Sequence, residues 1–448
     1  MARMDSDMTE GSIWRHMLHF SIPMAIGLLF QQLYNTVDTL VVGRFVGQQA
    51  QAAVGSTGPI INTIVGFCAG LATGASVVIS QRYGAHDEDG LGKAVHTTVA
   101  LTFLMSLVAT AIGQVIIVPM LKFMRTPEDV MAESSCYLSI YFAGISGILL
   151  YNIGSGILRA VGDSRRPLVF LILSALLNTA LDLLFVLAFG MGVDGVAYAT
   201  VLAQVLSALL ILYTLSREPG GYGIRWRRIR IDRESLSEIL RLGLPSSIQS
   251  AITSFSNVFV QSYINHFGSA CMAGYGVYGK IDAFALIPVQ SISMSSTTFV
   301  GQNWGARQPD RAREGVRTAI IMSLAATAAL GVLVFALARP LMGFFSPEPA
   351  VIDYGVRFIR IITPFYIMIC FNQIYAGALR GVGDATMPTV IMLISFVAFR
   401  QVYLAVTKAL GAGFVAVALA YPVGWILCSA LLILRFVRSP LAHGAARP

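Results

Sequence analysis

The segment Leu158-Arg159-Ala160-Val161-Gly162-Asp163 returns 221 residues later as Leu379-Arg380-Gly381-Val382-Gly383-Asp384. The same offset carries Gln81-Arg82-Tyr83-Gly84-Ala85 onto Gln302-Asn303-Trp304-Gly305-Ala306, Pro167 onto Pro388 and Gly192 onto Gly413. With one residue of slippage, Pro23 falls on Pro245 and Asn35 on Asn257. Matches at one spacing over the whole length mark an internal duplication.

The material between these matches decides the environment. Of the 448 residues 56% are hydrophobic and only 12% charged, about half the charge of an ordinary soluble domain. The apolar residues form continuous runs, such as Leu168 to Leu177 and Ala319 to Ala338. A barrel strand would alternate, so the runs predict membrane-spanning helices, whose backbone groups bond internally. Twelve stretches reach the roughly 20 residues that a hydrocarbon core requires. They centre near residues 29, 67, 105, 145, 178, 204, 250, 288, 328, 367, 398 and 425. The expected fold is an all-α membrane protein of two six-helix halves, residues 1–216 and 237–448, with 217–236 as a linker. Six is even, so the halves run in parallel. Parallel repeats are a transporter architecture, with substrate held between halves that rock.

Charge fixes the expected orientation. Of 31 Lys and Arg, 22 lie at the termini or in loops after even-numbered spans, and seven in the other loops. Both termini are therefore expected in the cytoplasm, in an inner or plasma membrane. The net charge of +8 serves this topology, and no nucleic-acid partner is expected. The linker region, with seven arginines from Arg217 to Arg241, reads as a segment held at an anionic membrane surface. Asp5, Asp7 and Glu10 interrupt any cleavable signal. Cys68, Cys136, Cys271, Cys370 and Cys428 show no metal or disulfide spacing and read as packing residues. Gly66, Gly70 and Gly74 form a small-residue run suited to close helix packing. Pro23 should kink the first span and is the candidate hinge.

Ionisable groups at membrane depth mark function by default. Five qualify: Asp38, Asp182, Lys280, Asp282 and Arg400. Asp38 lies late in the first span and Asp182 late in the fifth, both running outward. Thr200 lies about two turns into the sixth, running inward, so all three reach a similar depth in the outer half. Asn178 precedes Asp182 by four residues and shares its helix face. Two carboxylates, an amide and a hydroxyl make an oxygen-rich site that can hold Na⁺ or share a proton. The duplication places Tyr403, Phe399 and Tyr421 opposite Asp182, Asn178 and Thr200, so coupling chemistry is expected in the first half alone. Asp282 and Arg400 could pair across the eighth and eleventh spans, either as a structural ion pair or as part of a substrate path or gate. Gln31, Tyr34, Asn35, Asn152, Asn257, Gln261, Lys280 and Asn372 are further candidates for a substrate path or gate. No histidine sits at a convincing relay position. Gly92-Lys93 lacks the rest of a phosphate-binding loop, so ATP is not the expected driver, and no cofactor is expected beyond H⁺ or Na⁺.

Taken together, the paired Leu-Arg-x-Val-Gly-Asp segments, Gln-x-x-Gly-Ala after spans two and eight, and Pro23 with Asn35-Thr36-Val37-Asp38 resemble the multidrug and toxic compound extrusion (MATE) family, over residues 14 to 438. The resemblance implies a V-shaped bilobed bundle and cation-coupled efflux of small organic, often cationic, compounds. It also places the coupling motif of the DinF-type branch on Asp38, Asn178, Asp182 and Thr200. The NorM-type branch carries acids in the seventh and tenth spans. Here those spans offer Asn257, Gln261 and Asn372, with no acid. A monomer in the bilayer is expected. A flippase for lipids or lipid-linked saccharides shares the architecture but calls for a more cationic cavity than Lys280 and Arg400 supply. A membrane enzyme would need a clustered catalytic set, which the sequence lacks.

Overall fold

The computed structural model describes residues 7–124 and 126–444. In chain order the first half contains α1 (Ile13–Val41), α2 (Gln48–Gly84), α3 (Glu88–Phe123), α4 (Glu128–Ala143), α5 (Ile145–Ala160), α6 (Arg165–Leu183) and α7 (Val193–Arg217). The second contains α8 (Arg233–Asn265), α9 (Ser269–Ala285), α10 (Ile287–Gly305), α11 (Pro309–Ala336), the short α12 (Ala338–Phe345), α13 (Pro349–Ile362), α14 (Tyr366–Gly381), α15 (Thr386–Leu393), α16 (Arg400–Ala409), α17 (Phe414–Ala418) and α18 (Ala420–Val437). Several helices join end to end, and every expected span centre falls within one helical run.

Eight of these runs are long and apolar enough to cross a bilayer, and two bent pairs bring the number to ten. The bends have local causes. α4 and α5 meet at 50° around Gly144, where a Cβ would stand 2.2 Å from the Val201 side chain. α9 and α10 meet at 42°, where Pro288 in the first turn of α10 lacks an N–H to continue the ladder. Pro364 breaks the next long run with a 3₁₀ turn between α13 and α14. The remaining two runs, α1 and α8, have 29 and 33 residues and contain Pro23 and Pro245. They are long enough but more polar, carrying Gln31, Gln32, Gln249 and Gln261.

The duplication is written into the backbone. Positive φ angles occur at Gly47 and Gly268, His86 and Arg307, Gly162 and Gly383, and Gly190 and Gly411, each pair 221 residues apart. At Gly162 the chain leaves α5 through the two bonds of a Schellman stop: Gly162 N–H to Arg159 O and Asp163 N–H to Leu158 O, both 2.9 Å. Asp163 then caps α6 by accepting from Arg165 N–H and Arg166 N–H. Gly383 and Asp384 repeat the stop after α14, and Asp384 accepts from Met387 N–H in the first turn of α15. The repeated Gly-Asp is therefore a helix stop followed by a helix start. His86 and Arg307 close α2 and α10 by the same two bonds.

The described residues divide into two compact units, residues 26–247 and residues 7–25 with 248–444. α1 passes from one unit to the other two residues after Pro23, and α8 does so two residues after Pro245. In the first unit α2 and the start of α8 nearly touch. A Cβ on Gly70 would lie 2.3 Å from Ser247 N, and one on Gly74 2.4 Å from Gly243 N. The small-residue run is thus a packing device at these two positions. Residues 217–236 dock on this unit as well: Arg225 N–H donates to His96 Nε2, and Asp232 N–H to Thr97 Oγ1. Asp232 accepts from Ser235 N–H and its hydroxyl, and these bonds hold its carboxyl below the usual range. In the second unit Met8, Met17, Phe20 and Met24 pack with Ile292, Phe299, Val316 and Leu441. All five cysteines are free, and four are buried. Cys136 is exposed, a correction to its reading as a packing residue: its position on α4 turns away from the core.

Candidate functional site

In the first unit, α6 and α7 bring Asn178 and Thr200 together. Asn178 Nδ2 donates to Thr200 Oγ1 at 3.5 Å, and Thr200 Oγ1 donates to Val196 O at 3.0 Å. Asp182 lies one turn beyond Asn178 and is fully buried, with Asn178 and Thr200 only 1% and 6% exposed. The Asn178 Oδ1 atom is buried with no hydrogen-bond partner among the described residues. Directly after Asp182 the helix widens into a π segment, Leu184–Ala188, a form that frequently accompanies functional sites. Asp38 and Asn35 belong to α1, but their side chains lie outside the described residues. Gln31 is exposed, and Tyr34 half-buried. Asn152 spends its amide on Ile148 O of its own helix.

The second unit corrects the expected pairing of Asp282 with Arg400. No ion pair joins them among the described residues. Asp282 Oδ1 instead accepts from Tyr278 Oη at 2.9 Å and Tyr366 Oη at 2.5 Å. Arg400, 5% exposed, donates through Nη2 to Ser256 Oγ and Asn257 Oδ1 at 3.0 and 2.9 Å. Its guanidinium lies 5.2 Å from the centre of the Tyr421 ring, within cation–π range. Tyr421 Oη is in turn 2.5 Å from Tyr275 Oη. Neutral phenols and amides thus do for each charge what the opposite charge was expected to do.

The remaining candidates separate. Lys280 is exposed, its ammonium 5.9 Å from the centre of the Phe345 ring. Gln261 donates to Asn265 along its own helix. Asn372 is buried, donating to Trp425 O and accepting from Ser429 Oγ. The four tyrosines around Asp282 and Arg400 were missed by sequence reasoning. Tyr278, four residues before Asp282, carried a readable signal. Tyr275, Tyr366 and Tyr421 carried none, because their partners lie on other helices.

The two sites differ chemically. In the second, the Asp282 carboxylate is met by two phenols and Arg400 Nη2 by a hydroxyl and an amide oxygen, while Arg400 Nε is buried with no hydrogen-bond partner among the described residues. The first gathers a buried carboxylate, an amide oxygen without a partner and a hydroxyl, which is a donor set suited to a small cation or a proton. Among the described residues no cluster of three His, Cys, Asp or Glu could hold a resident metal ion.

Comparison with known proteins agrees with the duplicated helical design. A family model described as MatE matches twice, over residues 23–184 and 245–407. The probable multidrug resistance protein YoeA of Bacillus subtilis is 32% identical over 392 residues, covering 86% of this chain and 85% of that protein. The FAD transporter of Shewanella oneidensis is 25% identical, covering 82% of each. A solved structure described as the outward-facing conformation of a multidrug resistance MATE family transporter of the MOP superfamily superposes with a TM-score of 0.93. It is 24% identical and covers 99% of both chains. Two copies of one family model in one chain are the duplication seen from outside, and this multi-pass membrane protein belongs to the MatE family of transporters.

Proposed function

We propose that the protein is a secondary active antiporter of an inner or plasma membrane, with both termini cytoplasmic. H⁺ or Na⁺ enters through the first unit at Asp38, Asn178, Asp182 and Thr200, and an organic, often cationic, compound leaves. The observation that carries this reading is the buried group Asn178, Asp182 and Thr200 together with its loss in the second half. There Tyr421 replaces Thr200 and lies against Arg400, a fixed guanidinium in place of an exchangeable cation. A carboxylate at membrane depth must be neutralised, and an ion taken from one side and released to the other does so reversibly. Each charge moved across 100 mV supplies about 2.3 kcal/mol, enough for a gradient of about 50-fold in a coupled compound. Pro23 removes one bond from the helix that carries Asp38, and neutralising the site would change the bend there.

The test is dye efflux from proteoliposomes under separately imposed Na⁺ and H⁺ gradients, comparing the wild type with Asp38→Asn and Asp182→Asn. One gradient should drive efflux in the wild type and neither in the variants. Efflux driven by neither gradient in the wild type, or coupling that survives both substitutions, would remove the reading.

A further inference from the structure

A groove of about 440 Å³ opens on the second unit between α11, α14 and α18. Arg313 and Arg317 stand at one end of it, four residues apart on α11 and therefore on one face. Val316, Ile320 and Ile321 continue its floor along the helix, and Tyr375 and Phe436 form the other wall, their rings 4.7 Å apart. Arg313 and Arg317 are the fifth and ninth residues of α11, about 6 and 12 Å from its start. Phe436 is the last residue but one of α18. The charged end of the groove therefore lies at the helix ends, where headgroups lie, and the apolar floor runs toward the hydrocarbon.

We propose that this groove holds an anionic phospholipid, its phosphate between Arg313 and Arg317 beside Phe436 and an acyl chain along Ile320, Ile321 and Tyr375. Arg317 is exposed and forms no ion pair among the described residues. Arg313 is half-exposed, with one bond to Ala442 O and one to Asp310; the remaining N–H groups of both fork-shaped side chains suit phosphate oxygens. A free phosphate would leave the apolar wall unused. A basic pocket between spanning helices at a membrane face matches both ends of a lipid. This inference is independent of the antiport reading.

The experiment is native mass spectrometry of the full-length protein with equal amounts of phosphatidylglycerol and phosphatidylcholine. The wild type should retain the anionic lipid at least tenfold more. The double variant Arg313→Gln/Arg317→Gln should bring retention close to parity, Arg317→Lys should keep most of the preference, and Ile320→Trp should lower retention of lipid with both arginines intact. Arg357→Gln/Arg360→Gln, two exposed arginines on α13, should leave it unchanged. Equal retention of the two lipids by the wild type overturns the proposal. So does an equal loss in the Arg357/Arg360 control, which would show general charge attraction instead of a site. Should the double variant fail to fold, Ile320→Trp alone decides.

Discussion

At Thr200 one hydroxyl touches the Asn178 amide and the backbone of its own helix. Replacing it with valine keeps the volume and removes one oxygen from the set. A lost buried hydrogen bond costs about 1–3 kcal/mol, so half-maximal efflux should need roughly tenfold more coupling ion, read from the ion dependence in proteoliposomes. An unchanged dependence would take Thr200 out of the site. Tyr366→Phe is the contrasting case. It strips one of two phenol donors from the Asp282 carboxylate. Thermal unfolding should show a loss of about 1–3 kcal/mol, with the ion dependence of efflux unaltered. A shifted ion dependence would make the tyrosine-held carboxylate part of the coupling path. The sequence pointed to the first group because Asn178 and Asp182 are four apart on one helix and the duplicate lacks them. It left the second illegible because Tyr366 reaches Asp282 across 84 residues, and no spacing rule connects different helices.

Among the elements, the spans were legible, but their ends and bends were not. Gly-Asp was legible as a repeat, and only the backbone at Gly162 and Gly383 makes it a helix stop followed by a start. The bends after Ala143 and Ala285 were not announced. One depends on Val201 pressing toward Gly144, which is a fact of packing. The approach of α2 to α8 gives a sharp prediction. Gly74→Val would drive side-chain carbons into Gly243 N and Ile239 O, both within 2.7 Å of an ideal Cβ. Overpacking of this kind costs about 1–3 kcal/mol, and a clash against backbone cannot be relieved by a rotamer change. The melting temperature should fall by several degrees, whereas Gly55→Ala, where a Cβ meets nothing within 4 Å, should leave it in place.

For the whole molecule, the sequence predicted a division at the linker, and the packing divides within α1 and α8. Residues 7–25 are wired into the second unit. Met8 N–H donates to Gln302 Oε1, while Asn303 Nδ2 and Arg311 donate back to Met8 O. Residues 233–247 lie within the first unit, where Arg82 pairs with Glu238 at 3.1 Å. Neither half of a chain cut between residues 217 and 236 then contains a complete unit. Fragments 1–224 and 225–448 expressed separately should be degraded or aggregate, and co-expression should restore a complex that purifies together. A stable, monodisperse 225–448 fragment would contradict the exchange.

The same exchange sets an order on synthesis. Met8, Met17 and Phe20 leave the ribosome first, yet their buried surroundings begin at Ile292 and Phe299 and extend to Ile374 and Ala378, which leave it several spans later. Domains built during translation ordinarily close from the N-terminus onward. Here the opening segment waits for α10, α11 and α14, so a chain terminated before α10 leaves its own beginning without a place to pack and exposes it to quality-control proteases.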